Sequence, residues 1–107
     1  MPILQINFKL NVPADAYASN CQGVAQMIAA VSGLHWKIWI LNEREKEAGG
    51  IYYFDTEQAL SDYLSGPIVA HLGNDPAISD VSVKRFDVLE ELTSATRGPV
   101  SKMATTQ

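Results

Sequence analysis

Leu34-His35-Trp36-Lys37-Ile38-Trp39-Ile40-Leu41, the polar run Asn42-Glu43-Arg44-Glu45-Lys46, and Glu47-Ala48-Gly49-Gly50-Ile51-Tyr52-Tyr53-Phe54 together decide the fold. This stretch holds both tryptophans, two of the four tyrosines and one of the two histidines. Two runs rich in β-branched and aromatic residues on either side of a charged tip predict a β-hairpin. Side chains alternate across a sheet, so Trp36, Ile38 and Ile40 share one face, while His35, Lys37, Trp39 and Leu41 share the other. Both faces are largely apolar and both need cover. A chain of 107 residues has too few helices to cover both, and a second copy of the chain is the simplest remaining cover. The Gly49-Gly50 pair weakens a strand and predicts a bulge, or space kept for a neighbouring ring or a ligand.

Upstream, Ile3 to Val12 alternates Leu4, Ile6, Phe8 and Leu10 against Ile3, Gln5, Asn7 and Lys9, which predicts a first strand with one wholly apolar and one mixed face. Pro13 ends that strand and suits a first helical turn. Tyr17, Cys21, Val24, Ala25, Ile28 and Val31 then recur at helical spacing up to a C-terminal Gly33. Downstream, Asp55-Thr56-Glu57-Gln58 reads as a helix start in which Gln58 reaches back to the cap. Gly66-Pro67 breaks the helix, and a short second one is expected from Pro67 to Leu72. After the turn at Gly73-Asn74-Asp75-Pro76, Ile78 to Val88 predicts a last strand, and Leu89 to Leu92 a turn of helix. From Thr93 the chain has little to bury, so the reading is a single domain over residues 1–92 and a flexible C-terminal tail over 93–107. The order strand, helix, strand, strand, helix, strand predicts an α+β, ferredoxin-like βαββαβ fold. Its antiparallel four-stranded sheet has helices on one face, and two copies pack face to face as a dimeric α+β barrel.

Composition narrows the partners. Apolar residues make up 47% and charged residues 19%, close to globular averages, and the net charge is −4. No basic cluster could neutralise a row of phosphates, so nucleic acid is not an expected partner. The opening Met-Pro-Ile-Leu-Gln has no signal-peptide pattern, and no segment approaches the ~18 apolar residues that cross a bilayer, so no membrane partner and a cytoplasmic location are expected. The single Cys21 cannot form an internal disulfide and reads as a small buried hydrophobe. No Cys/His cluster has metal-ligand spacing, and no metal is expected.

The runs Trp36-Lys37-Ile38-Trp39 and Glu47-Ala48-Gly49-Gly50-Ile51-Tyr52-Tyr53-Phe54 resemble those of the YdhR-type mono-oxygenases of the dimeric α+β barrel superfamily. The resemblance extends over residues 3 to about 92 through the opening Gln-x-x-Phe, the glycine before the Trp-Lys strand, Ala59-Leu60 and Tyr63-Leu64, and Phe86-Asp87-Val88. It implies a homodimer. It also implies a cavity between sheet and helices in which better-understood members oxidise aromatic substrates without flavin or metal, or degrade haem. Their sites resemble a set of Asn, Trp and His residues, which in this sequence implies Asn7, Trp36, Trp39 and His71. No cofactor is expected.

The residues themselves add two bases and an aromatic surface. Trp36 and Trp39 are three apart in a strand and cannot line one pocket, so one belongs to core or interface. Lys37 in an apolar strand either reaches along the sheet to water or is partly buried and able to accept a proton. His71, on the short helix after the break, suits the same role. Of Tyr52 and Tyr53, one presents its hydroxyl to the side that Lys37 occupies. The expected catalytic residues are therefore His71 and Lys37, and the expected substrate-binding residues Asn7, Trp36, Trp39 and Tyr53. Two functions fit: a cofactor-independent mono-oxygenase acting on a small aromatic or phenolic compound, or a non-catalytic homodimer that binds or senses a small ligand in the same cavity. No catalytic motif separates them, and enzyme status stays open at this point.

Overall fold

Leu4, Ile6, Phe8 and Leu10, alternate residues of the strand β1 (Pro2–Leu10), are all buried, and the fold is built on that row. The computed structural model describes residues 1–100. After β1 come α1 (Ala14–Ala29), β2 (Leu34–Asn42), β3 (Glu47–Phe54), α2 (Glu57–Leu64), α3 (Pro67–Gly73), β4 (Ile78–Asp87) and α4 (Glu90–Ala95). The strands form one sheet in the order β2-β3-β1-β4 with every neighbouring pair antiparallel. This is the expected ferredoxin-like α+β fold, with β1 and β3 central because each is paired on both sides.

Cross-strand partners share a face. Leu4 lies opposite Tyr52, Ile6 opposite Gly50 and Phe8 opposite Ala48, so β1's wholly apolar row continues across β3. Against it pack Ile28 of α1 and Leu60 and Tyr63 of α2, with Ile68 and Leu72 of α3 partly buried beside them. Packing this row against the helices is what removes most apolar surface from water. The opposite face carries Ile3, Gln5, Asn7 and Lys9 with their partners Tyr53, Ile51, Gly49 and Glu47.

Local chemistry sets the ends of the elements. Gly33 takes φ 83°, the left-handed region that glycine adopts without steric cost, and turns the chain from α1 into β2. The register slips between Leu34 and Trp36, leaving His35 as a bulge. At α2 the cap is the Thr56 hydroxyl, which accepts from the Ala59 amide at 3.0 Å. Gln58 does not reach back as the sequence predicts; its amide donates to Asp62 one turn on, at 2.8 Å. α4 runs to Ala95, across the boundary at Thr93 where the composition predicts a tail, and the Trp36 indole donates to the Pro99 carbonyl at 2.7 Å. Residues 101–107 of that predicted tail lie outside the described residues.

Candidate functional site

On the helix-covered face, β2 places Lys37 opposite Tyr52 and Trp39 opposite Gly50. Gly50 gives Lys37 its room: a Cβ there would run into the Lys37 side chain. At Gly49 a Cβ would collide with the Ile6 carbonyl, so this glycine serves the close approach of β1 and β3. One glycine of the pair thus keeps space for a side chain and the other for a backbone.

Beyond Lys37 a cavity of about 580 Å³ opens between the sheet and the helices α1 and α3. Phe8, Trp39 and Tyr52 line it from the sheet, Tyr17 and Cys21 from α1, and Ile68 and His71 from α3. Lys37 Nζ sits 3.4 Å from the centroid of the Trp39 ring and 4.7 Å from that of Tyr52. Two π faces attract an ammonium there. Burial pushes its pKa down to about 8, against a smaller opposing influence of Cys21. Among the described residues no carboxylate forms an ion pair with it.

The Tyr63 hydroxyl donates to that of Tyr52 at 3.3 Å. Burial pushes both phenols above their ordinary range, so both remain protonated donors at neutral pH. Tyr17, one turn from Cys21 on α1, is pushed up by burial and then by its hydrogen bond to that thiol. The result is a largely apolar chamber whose polar lining includes an amine, three phenols, a thiol, Asn20 and Asp75, with His71 exposed at its rim.

Of the six residues singled out from the sequence, Lys37, Trp39 and His71 line this cavity. Asn7, Trp36 and Tyr53 do not meet them there, because their register puts them on the opposite face. There Trp36 stacks on Tyr53 at 5.2 Å and 22°. Asn7 accepts from Gln5 at 2.9 Å and donates to Glu47 at 3.2 Å. The signal for this was in β1: the wholly apolar row had to face the helices, which sends Gln5, Asn7 and Lys9 the other way. Of the two adjacent tyrosines, Tyr52 is on the side of Lys37. Sequence reasoning passed over Tyr17 and Cys21 as site residues, although their i, i+4 spacing on the stripe that packs on the sheet sets them side by side. Cys21 is half-buried against the cavity rather than enclosed in the core.

Among the described residues no group of three or more His, Cys, Asp or Glu side chains could hold a metal ion, and no helix is long and apolar enough to cross a membrane.

The profile of the family described as "Putative mono-oxygenase ydhR" matches residues 3–99. No curated protein matches the sequence. Among solved structures, the chain is similar to NE2512, a protein of unknown function from Nitrosomonas europaea, at 18% identity and a TM-score of 0.71, covering 82% of this chain and 88% of that one. It is also similar to SnoaB, a cofactor-independent oxygenase from Streptomyces nogalater, at 16% identity and a TM-score of 0.65, covering 81% and 92%. At these identities the likeness concerns the fold.

Proposed function

The chain belongs to the ydhR mono-oxygenase family, and from that premise we propose that it is a cofactor-independent mono-oxygenase acting on a small phenolic or aromatic compound in the cavity between sheet and helices. The observation that carries this reading is the Lys37 amine, set over the Trp39 and Tyr52 rings inside an apolar chamber. With a pKa of about 8, a useful share of the amine is neutral near physiological pH, which is what a general base needs. The neutral amine takes a proton from the acidic carbon or hydroxyl of the substrate, and the two rings stabilise the ammonium that forms. The resulting carbanion gives one electron to O₂. The carbon radical and superoxide combine into a peroxide anion, which takes the proton back from the Lys37 ammonium, and the hydroperoxide loses water with the second hydrogen of that carbon to leave a carbonyl. Trp39 stacks on the substrate ring, the Tyr52–Tyr63 pair donates to its oxygen, and His71 at the rim passes protons to solvent.

A second copy of the chain covers the opposite face of the sheet. Ile38 and Phe86 are 47% and 48% exposed there, beside half-buried Ile3, Ile40 and Ile51. An apolar face of this kind, self-complementary about a two-fold axis, suits a homodimer. Asn7, Trp36 and Tyr53 then serve that contact rather than the substrate.

The test is oxygen uptake by protein stripped of metal and flavin, over a panel of hydroxylated anthrones and quinols. Lys37→Met is expected to lower turnover by ~10²-fold or more, and His71→Ala by less. Uptake no faster than buffer across the panel, with measurable ligand binding, would make the protein a ligand-binding module. Uptake unchanged in both variants would mean that the base lies elsewhere.

A further inference from the structure

Lys37 is the one lysine of the described four that lines the cavity. Lys9 pairs with Glu47 at 3.8 Å, and Lys46 and Lys84 are exposed. An amine over aromatic rings, with no carboxylate on it among the described residues, is open to a partner that supplies an electrophile. The chamber beside it holds about 580 Å³, ample for a substituted benzene ring, and Phe8, Tyr17, Trp39 and Tyr52 are among the residues that line it. The hydroxyls of Tyr52 and Tyr63 share one proton between them and keep the other for a ligand oxygen.

We propose that this cavity captures aromatic aldehydes or ketones covalently and reversibly, as an imine on Lys37 Nζ. The nitrogen lone pair attacks the carbonyl carbon, and the carbonyl π pair moves to oxygen, which takes a proton from the tyrosine pair. Nitrogen then returns a proton to that pair, the carbinolamine hydroxyl takes a proton from the pair and leaves as water while the nitrogen lone pair forms C=N, and the last N–H proton restores the pair. Water reverses every step, and no oxidant or reductant takes part. The inference rests on the cavity and the amine, so it stands whether or not the protein consumes oxygen.

The titration of the amine supports the geometry. With a pKa of about 8, about a quarter of Lys37 is neutral at pH 7.5, against about one in a thousand for an ordinary lysine. The other ionisable groups around it are Tyr17, Tyr52 and Tyr63, held protonated by burial, with Cys21, and with His71 and Asp75 also on the cavity wall.

The experiment treats the full chain at pH 7.5 with benzaldehyde and cyanoborohydride, which reduces any imine to a stable benzylamine, and follows each lysine by peptide mass spectrometry. Lys37 is expected to gain its benzyl group at least about ten-fold faster than Lys46 or Lys84, the excess of neutral amine being partly offset by its lower nucleophilicity. Acetaldehyde, which has no ring to bind, is expected to show a smaller preference for Lys37. Labelling of Lys37 by benzaldehyde no faster than of the exposed lysines would overturn the proposal. Equal preference with the two aldehydes would overturn the aromatic selectivity of the site.

Discussion

The two faces of the sheet each bury a tyrosine of β3 and end in different states. On one, Leu4, Tyr52 and Phe54 are sealed by helices, and a lysine among them loses the water that would hold its charge. On the other, Tyr53 is equally buried at 1% exposure: Trp36 stacks on it, the His35 ring lies tilted against it, and its hydroxyl donates to Met1 Sδ at 3.2 Å. Further along that face the cover stops, leaving Ile38 and Phe86 open. What separates the faces is the cover: helices line a cavity on one, and on the other the proposed second copy of the chain would be the cover.

Substitutions on the two faces should therefore fail in different ways. Phe54→Ala empties a site with no exposed surface, packed against Tyr52 and Tyr63, and is expected to cost about 3–5 kcal/mol in urea denaturation. Lys37→Met is expected to remove ~10²-fold or more of oxygen uptake while the fold is retained. It should also flatten the pH dependence of stability. The folded pKa of Lys37, about 8, lies below its unfolded value of about 10.4, so between those values the unfolded chain holds the proton and the folded chain does not. Wild-type stability should thus rise from about pH 8 to about pH 10, and the variant's should not. The raised Tyr17 and Tyr52 phenols act with the opposite sign, above about pH 10.

On the open face, Ile38→Asp is expected to leave the single chain folded and to weaken the proposed self-association more than about ten-fold in sedimentation velocity, since it sets a charge where Ile38 now exposes an apolar side chain. A monomeric wild type at micromolar concentration would remove the dimer from the account. The smallest effect belongs to truncation after Thr96, which deletes the Pro99 carbonyl that accepts from Trp36. The expected loss is at most about 1 kcal/mol by urea denaturation.

The hairpin, the strand order and the break at Gly66-Pro67 were legible because they rest on local signals: period-two alternation, a charged tip, and a residue without a backbone donor. The assignment of faces was harder. His35 bulges at the start of β2, but from Trp36 onward the alternation is regular, so the split of Trp36 from Trp39 could be read directly. Which of the two tryptophans faced the helices depended on β1, 26 or more residues away, and that link comes only through β3. The convergence of Tyr17, Cys21, Lys37, Tyr52 and Tyr63 is tertiary, set by how α1 and α2 lie on the sheet, and no spacing encodes it. His71 was placed by its helix and lies at the rim, exposed, where composition alone could not distinguish it from any surface histidine.

The account depends most on Lys37 being a desolvated amine in the helix-side chamber, and its titration reads this directly. Following the lysine side-chain carbons by heteronuclear NMR from pH 6 to pH 11, one resonance is expected to titrate with a midpoint of about 8 and to be missing from Lys37→Met. Every lysine titrating at its ordinary value, about 10.4, would mean that the amine is in water, and would contradict both the base and the imine assigned to it.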